Sequence, residues 1–345
     1  MDNTSRWYTK KAFQVPAAVV IVLILFSLFV MVINYSFPSF FTISYVADGT
    51  PTVKNLSPEE AQELDAAGEN PEVAPPAKDG LMFTDTILLI GDDMFSNWLP
   101  NDKVWPTIFL DNPQNFQLGQ LEMMRYTMRV MRDMLTKRET TDKIDPDCEE
   151  AFTLLSNDPY KWLIPSAESR FRGAMDRVRN YRANLDAGKT GFYGRENSLK
   201  EMLGQYVSLL GGVNTRLANA PKLKGYRTSV EFVGETGSTR NEQLVDTNVP
   251  WYKIDDNFYY AQGVAYVLRQ MMVAIKHDFK DVLVRRSAMA QVDSIIEVLD
   301  EAQFEPWVVL NGNVGSMMAN HSMELHSILE NARQKIRSLN DMLAG

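Results

Sequence analysis

Cysteine is almost absent from this chain. Cys148 is the only one in 345 residues, so no internal disulfide can form and the fold must stand on packing. Histidine is nearly as scarce, with His277, His321 and His326 alone. None follows a Glu by three residues, which removes the paired Glu-x-x-His pattern of di-iron bundles. His321 and His326 are five positions apart, about 140° around a helix, a poor arrangement for sharing a metal. His321 falls on the apolar seam from Met318 to Leu325, the setting of a hydrogen-bonded, partly buried histidine.

Catalytic signatures are missing as well. There is no Gly-x-Ser-x-Gly elbow. Gly188-Lys189-Thr190 resembles the end of a phosphate-binding loop, but Ala183 stands where its first glycine belongs, after a helical stretch instead of a strand. Gly234 to Thr239 is glycine-rich without a lysine and reads as a solvated turn. Asp92-Asp93 and Asp255-Asp256 are acidic pairs, yet helix neighbours point ~100° apart, and the second pair sits where helix-initiating acids belong. Cys148 lies two residues after a helix-starting proline, where a helix dipole can acidify a thiol; a structural thiol is the simpler reading. No cofactor or metal is implied, and a non-enzymatic role is favoured over an enzyme.

Positive charge is also in short supply. The chain has 35 basic and 44 acidic residues, a net charge of −9. Only residues 1–11, with Arg6, Lys10 and Lys11 against Asp2, are basic overall. That argues against a nucleic-acid surface. Between Lys11 and Asp48 there is no charge at all. Within that gap, Phe13 to Ile33 is almost wholly aliphatic, and at a rise of ~1.5 Å per residue it spans roughly 31 Å, a bilayer's hydrocarbon core. Pro16 suits a first helical turn, and Trp7, Tyr8, Tyr35, Phe37, Phe40, Phe41 and Tyr45 suit interfaces at either end.

These residues predict a basic cytoplasmic N-terminus at 1–11, a transmembrane helix at 12–35 and an interfacial, acidic, proline-rich linker at 36–80. A helical extracytoplasmic domain at 81–345 follows. A cleaved signal peptide or a buried core helix fits the pattern less well. The basic flank stays inside, so the bulk of the chain is expected to be periplasmic and the bilayer to be a partner through 12–35. Residues 48–80 read as a solvated spacer with a reach of about 30 Å, containing a short helix over 56–67 that begins at Ser57-Pro58.

What is abundant is helical periodicity. Phe83, Ile87, Ile90 and Met94 share a face, as do Leu118, Leu121, Met124, Met128, Met131 and Leu135. The same three-and-four stepping joins Phe171 to Leu185, Leu199 to Leu217, Phe258 to Phe279 and Leu325 to Leu343. Asp145-Pro146 and Asp158-Pro159 read as helix starts. Strand patterns are nearly missing, with alternation only from Ser229 to Val233 and a turn at Asn311-Gly312. The fold class expected is all-α, a multi-helix bundle with one long irregular loop at 222–249. That loop is either an exposed crossover, with a small hairpin in it, or a binding loop.

Eighteen methionines suit adaptable core filling or a partner groove. Arg170, Arg172, Arg177, Arg179 and Arg182 flank the stripe from Phe171 to Leu185. They are either solvated, with Glu168–Arg172, Arg172–Asp176 and Arg182–Asp186 as weak helix pairs, or a surface for an anionic partner. An internal echo is present too. Asn115-Phe116 with Gln120 recurs as Asn257-Phe258 with Gln262, after Trp105-Pro106 and Pro250-Trp251. Duplicated helical units would explain it; chance likeness between helix starts is the simpler account.

The basic N-terminus, the single apolar span, Trp105-Pro106 and the Asn257-Phe258-Tyr259-Tyr260 helix start give the chain a resemblance to a bacterial family. It resembles an uncharacterised proteobacterial family of single-pass inner-membrane proteins catalogued as a domain of unknown function (DUF2333-like). The resemblance implies an inner-membrane setting and supplies no catalytic residues. The resulting expectation is a membrane-anchored periplasmic scaffold, adaptor or assembly factor of the cell envelope, with an envelope protein as partner. Alternatives are a cell-wall-acting hydrolase of unrecognised type and a ligand-binding sensory domain.

Overall fold

Residues stepping by three and four bury one stripe of a helix each, and the chain folds by putting those stripes together. The computed structural model describes residues 19–26, 37–45, 51–56, 60, 78–102, 111–139, 141–218, 225–229, 241–245, 253–304, 306, 309–310 and 320–344. Its helices are α1 (Leu81–Ser96), α2 (Asp111–Val130), α3 (Pro146–Leu155), α4 (Ala167–Asp186), α5 (Glu196–Ala218), α6 (Ile254–Asp278), α7 (Lys280–Arg285), α8 (Met289–Asp300) and α9 (His321–Met342). A π-helical turn, Met131–Leu135, extends α2. Each stripe named above is buried, with Leu118 only partly so.

Helices α2 and α6 form the centre. Around them the first four helices and a second set of four take up the same pairings. Helix α1 packs on α4 and on α6, while α5 packs on α9 and on α2. Helix α3 joins α4 and α2, while α8 joins α9 and α6. The π turn after α2 touches α3, and α7 after α6 touches α8. Among the described residues the helices therefore form two four-helix halves with matching pairings, sharing one core. Duplicated units account for this arrangement better than chance does. The echo between Asn115 and Asn257 has a different offset from the pairing of residues at the helix crossing, so it marked the right helices in the wrong register.

Caps fix several helix ends. Asp145 Oδ1 accepts from the backbone N–H of Asp147 and Cys148, with Pro146 in the first turn of α3. Helix α1 has no cap of its own, since Gly80 precedes it with φ +86°. Asp278, at the far end of α6, accepts the Phe83 N–H at 2.7 Å instead. A Cβ at Gly80 would also stand 2.2 Å from Phe192, so only glycine fits.

Two short hairpins depart from the all-helical expectation. Strand β1 (Phe40–Tyr45) pairs antiparallel with β2 (Pro51–Leu56), Phe40 opposite Leu56 and Tyr45 opposite Pro51. The expected spacer thus begins inside a strand pair. The segment lies along α6: Phe37 stacks on Tyr259 at 5.3 Å, Tyr266 Oη donates to the Ser39 carbonyl, and Gln270 Nε2 donates to the Phe41 carbonyl. Tyr45 Oη then reaches Asp85 at 2.9 Å. Alternation was missed here because every inward residue, and Phe41 as well, is large and apolar. The second hairpin, β3 (Gly225–Ser229) with β4 (Asn241–Val245), falls in the 222–249 stretch, where the reading of an exposed crossover already included a small hairpin. Residues 230–240 between its strands, including Gly234 to Thr239, lie outside the described residues.

The membrane expectation is corrected. Among the described residues no helix is long and apolar enough to cross a membrane. Of residues 12–35 only 19–26 are described; they are helical, and their side chains from Val19 to Phe26 are largely half-exposed. The rest of that proposed span lies outside the described residues, while Phe40, Phe41 and Tyr45, expected at a membrane interface, are buried in the core and Phe37 packs against it. An apolar run fixes hydropathy, not helix length, and the inference from one to the other is what fails. The single-pass topology, the bilayer as partner, and the inner-membrane and periplasmic placement rested on that helix and are withdrawn with it. The membrane-anchored scaffold goes too. The helix proposed over 56–67 and the turn at Asn311-Gly312 fall almost wholly outside the described residues, except that Leu56 closes β2 and Glu60 is helical.

Candidate docking site at the α3–α4 loop

Asp158-Pro159 does not start a helix. Asp158 Oδ1 accepts the Tyr160 N–H at 3.0 Å, closing a local turn, and α4 begins only after Pro165, with Ser166 as its cap. Between them the chain projects Tyr160, Trp162, Leu163 and Ile164, which are 46, 67, 61 and 98% exposed. Four large apolar side chains in five residues face water. Single exposed apolar residues are ordinary, but a contiguous group is not. Each such side chain removed from water contributes about 1.5–3 kcal/mol.

The loop is held in place by groups that leave Trp162, Leu163 and Ile164 exposed. Trp98 Nε1 donates to the Pro159 carbonyl at 3.0 Å, and Asn101 Nδ2 to the Lys161 carbonyl at 3.2 Å. Arg125, from α2, donates Nε to Leu155 and Nη2 to Asn157, at 2.8 and 2.7 Å. The Ala167 N–H closes the loop onto the Lys161 carbonyl at 2.8 Å. Trp98 is itself wedged between Phe95 and Phe171, with ring centroids 5.6 and 5.1 Å away. The backbone on either side of the tips is hydrogen-bonded to the body or to itself while the apolar tips point out. A pre-ordered loop of this kind loses little entropy when a partner covers it.

Carboxylates gather beside the loop. Helices α2 and α6 begin next to each other, and Asn115 Nδ2 donates to Asp256 Oδ1 at 2.8 Å. Burial first, then Asp111 and Asp255, push Asp256 up to about 6, against the pull of Lys253. Burial and Asp111 raise Asp255 as well. The Tyr160 phenol lies close enough for Asp158 and Asp256 to add to the upward push of burial, with Arg216 opposing. On the other flank, burial and then Glu168 raise Asp102.

The arginines Arg170, Arg172, Arg177, Arg179 and Arg182 of α4, considered from sequence as a surface for an anionic partner, mostly meet acids and carbonyls of neighbouring helices. Arg172 caps the end of α1, donating to the Phe95 and Ser96 carbonyls at 3.0 and 3.2 Å. Arg177 meets Asp147 and Glu150, and Arg179 meets Asp92 and Asp176. Arg182 grips Asp85 through Nε and Nη2, with Asp186 at 3.9 Å. The Nε of Arg170 is buried without a hydrogen-bond partner among the described residues. Four of the five thus hold α4 to α1, α3 or its own turn. Of the helix pairs expected from sequence only Arg182–Asp186 forms, and Glu168 bonds Ser166 instead.

The remaining candidates are structural. Cys148 is buried, and burial followed by Asp145 and Asp147 pushes its thiol up, opposite to activation. Asp92 meets Arg179, while Asp93 is raised by burial. His277 pairs with Asp278, His321 Nδ1 accepts the Leu310 N–H, and His326 Nδ1 donates to the Asn214 carbonyl. The three histidines serve three separate places. Gly188, with φ +70°, closes the end of α4, and Thr190 Oγ1 bonds Asp145, so Gly188-Lys189-Thr190 is a helix stop. Met123, Met124, Met128 and Met131 fill the core. Met317 and Met318 lie outside the described residues.

Sequence reasoning passed over the α3–α4 loop because Asp158-Pro159 looked like a cap. The signal was present in Trp162-Leu163-Ile164, an apolar run with no helical or alternating partner positions. It also missed Arg269, buried in α6 against Asp300 at 2.8 Å and stacked over Phe40 at 4.5 Å. A lone arginine amid the apolar run from Ala261 to Ile275 was its mark.

Compared with known families, residues 13–345 match one family model, described as an uncharacterized protein conserved in bacteria (DUF2333). No curated protein and no solved structure matches the chain.

Proposed function

The chain belongs to the DUF2333 family of bacterial proteins, and we propose that it is a helical docking scaffold whose α3–α4 loop inserts into a partner protein. The observation that carries this reading is the contrast within the loop. Its backbone is fixed by Trp98, Asn101 and Arg125, while Trp162, Leu163 and Ile164 are left to water. Buried aromatic and aliphatic anchors supply most of the energy of protein interfaces. A convex, rigid, apolar tip suits that role. Cys148, the three histidines and four of the α4 arginines are engaged in the core, in caps or in helix-to-helix ties, which supports a binding role over a catalytic one.

The test is site-specific photocrosslinking in cells from Ile164, with Val284, also exposed, as a control position. A discrete adduct from Ile164 alone, lost when Trp162→Ser is added, is the expected result. Identical adducts from both positions, or an adduct indifferent to Trp162→Ser, would end the proposal.

A further inference from the structure

We infer that the partner is a protein surface whose apolar groove is bordered by lysine and arginine. This rests on the docking reading of the α3–α4 loop and adds the chemistry of what docks there. Two flanks of the loop carry acids: Asp158, Asp111, Asp255 and Asp256 on the side where α2 and α6 begin, Asp102 and Glu168 on the side of α4. Lys161, Arg170, Arg216 and Lys253 lie among them. Arg216 is drawn aside, with its guanidinium 4.6 Å over the Tyr260 ring, and Asp256 Oδ1 accepts from a neutral group, Asn115 Nδ2, at 2.8 Å. Asp255 and Asp256 each feel Asp111 as a repelling neighbour. Cations supplied from outside relieve that crowding as the apolar tips are covered.

The same acids argue against two other occupants. A second copy of this chain would bring like clusters face to face, in a molecule already at −9. An anionic lipid surface would be repelled as well. Exposed charge pairs are individually weak, so the preference comes from several acting together. It sets partner choice and association rate more than affinity.

The experiment uses the purified full chain and two amphipathic helical peptides of about 18 residues, five turns each, one of Leu and Lys, the other of Leu and Glu. Binding is followed by fluorescence anisotropy, with neutral phosphatidylcholine vesicles and the chain itself as further probes. The Leu/Lys peptide is expected to bind at least roughly ten-fold more tightly than the Leu/Glu peptide, a difference of about 1.4 kcal/mol. That preference should shrink with added salt and in the Asp255→Asn, Asp256→Asn double variant. Trp162→Ser with Ile164→Asp should abolish binding of both peptides without changing the circular dichroism.

Equal affinity for the two peptides, still lost in the loop variant, overturns the cationic partner and leaves the docking loop standing. A Leu/Lys preference untouched by the loop variant overturns the docking loop itself. Binding only to vesicles, or only self-association in sedimentation, overturns both, as does no binding to any probe.

Discussion

Gly119 and Gly263 face each other where α2 crosses α6, and the contact is reciprocal. A Cβ on Gly119 would stand 2.0 Å from the carbonyl oxygen of Tyr260, and one on Gly263 would stand 2.0 Å from that of Phe116. Main chain touches main chain there, so no side-chain adjustment can make room. The two halves of the molecule meet at this point, and its symmetry is the sharpest sign of their equivalence.

Gly119→Ala and Gly263→Ala are therefore each expected to destabilise the fold by about 2–3 kcal/mol or more, the cost of overpacking where the backbone must move. Gly204, within α5, is the control: nothing lies within 4 Å of its added Cβ. There the same substitution should stabilise by about 0.5–1 kcal/mol, by helix propensity alone. Urea unfolding midpoints of the three variants decide the matter. A loss at Gly204 as large as at Gly119 would contradict the close crossing.

Arg269 and Asp300 form an ion pair with both side chains 2% exposed. Charges taken this far from water depend on each other, so Arg269→Met alone should cost about 3–5 kcal/mol by leaving a buried carboxylate. Adding Asp300→Leu should recover much of that loss, because the apolar pair no longer carries a desolvation penalty. Denaturant titration of the two single variants and the double variant gives the coupling. A double variant no better than Arg269→Met would show that the guanidinium's stacking on Phe40 outweighs the charge.

Asp256 makes stability depend on pH in a definite direction. Its carboxyl is raised from 3.8 to about 6, so the folded state holds this proton more tightly than the unfolded one. Its contribution is fully present below the unfolded value, near pH 4, and is lost as pH rises through 6. With the side chain about half in water, the measurable change is about 1 kcal/mol or less. Asp256→Asn keeps the oxygen that Asn115 bonds and removes the titration. The variant should equal the natural chain near pH 4 and exceed it above pH 6 in thermal unfolding. The opposite order would mean that the helix N-terminus, not burial with Asp111 and Asp255, governs this carboxylate.

Helices were legible in the sequence wherever burial is one-sided. The Phe171, Met175, Val178, Tyr181 and Leu185 stripe is complete, and Asp145 caps where an acid before proline should. What the sequence hid were relations across the chain. Asp278 caps a helix that starts almost two hundred residues earlier, and nothing near Gly80 announces it. The hairpin from Phe40 to Leu56 was obscured because Phe40, Phe41 and Ile43 belong equally to an apolar run. For the site, the arginines of α4 drew notice by number, yet their partners on α1 and α3 are invisible from α4 alone. Trp162, Leu163 and Ile164 were overlooked for the opposite reason: a loop has no period, and exposure of apolar residues is a property of the folded surface.

The seam between α2 and α6 also has a bearing on how the chain reaches its native state. Its two sides lie about 140 residues apart, and closing so long a segment carries an entropic cost before any contact rewards it. Each half can gather its own neighbours earlier, through the nearby pairings of α3 with α4 and α8 with α9. The rate-limiting event is then the meeting of two partly built halves, and slowing at the glycine crossing would show in the refolding limb of a chevron more than in the unfolding limb.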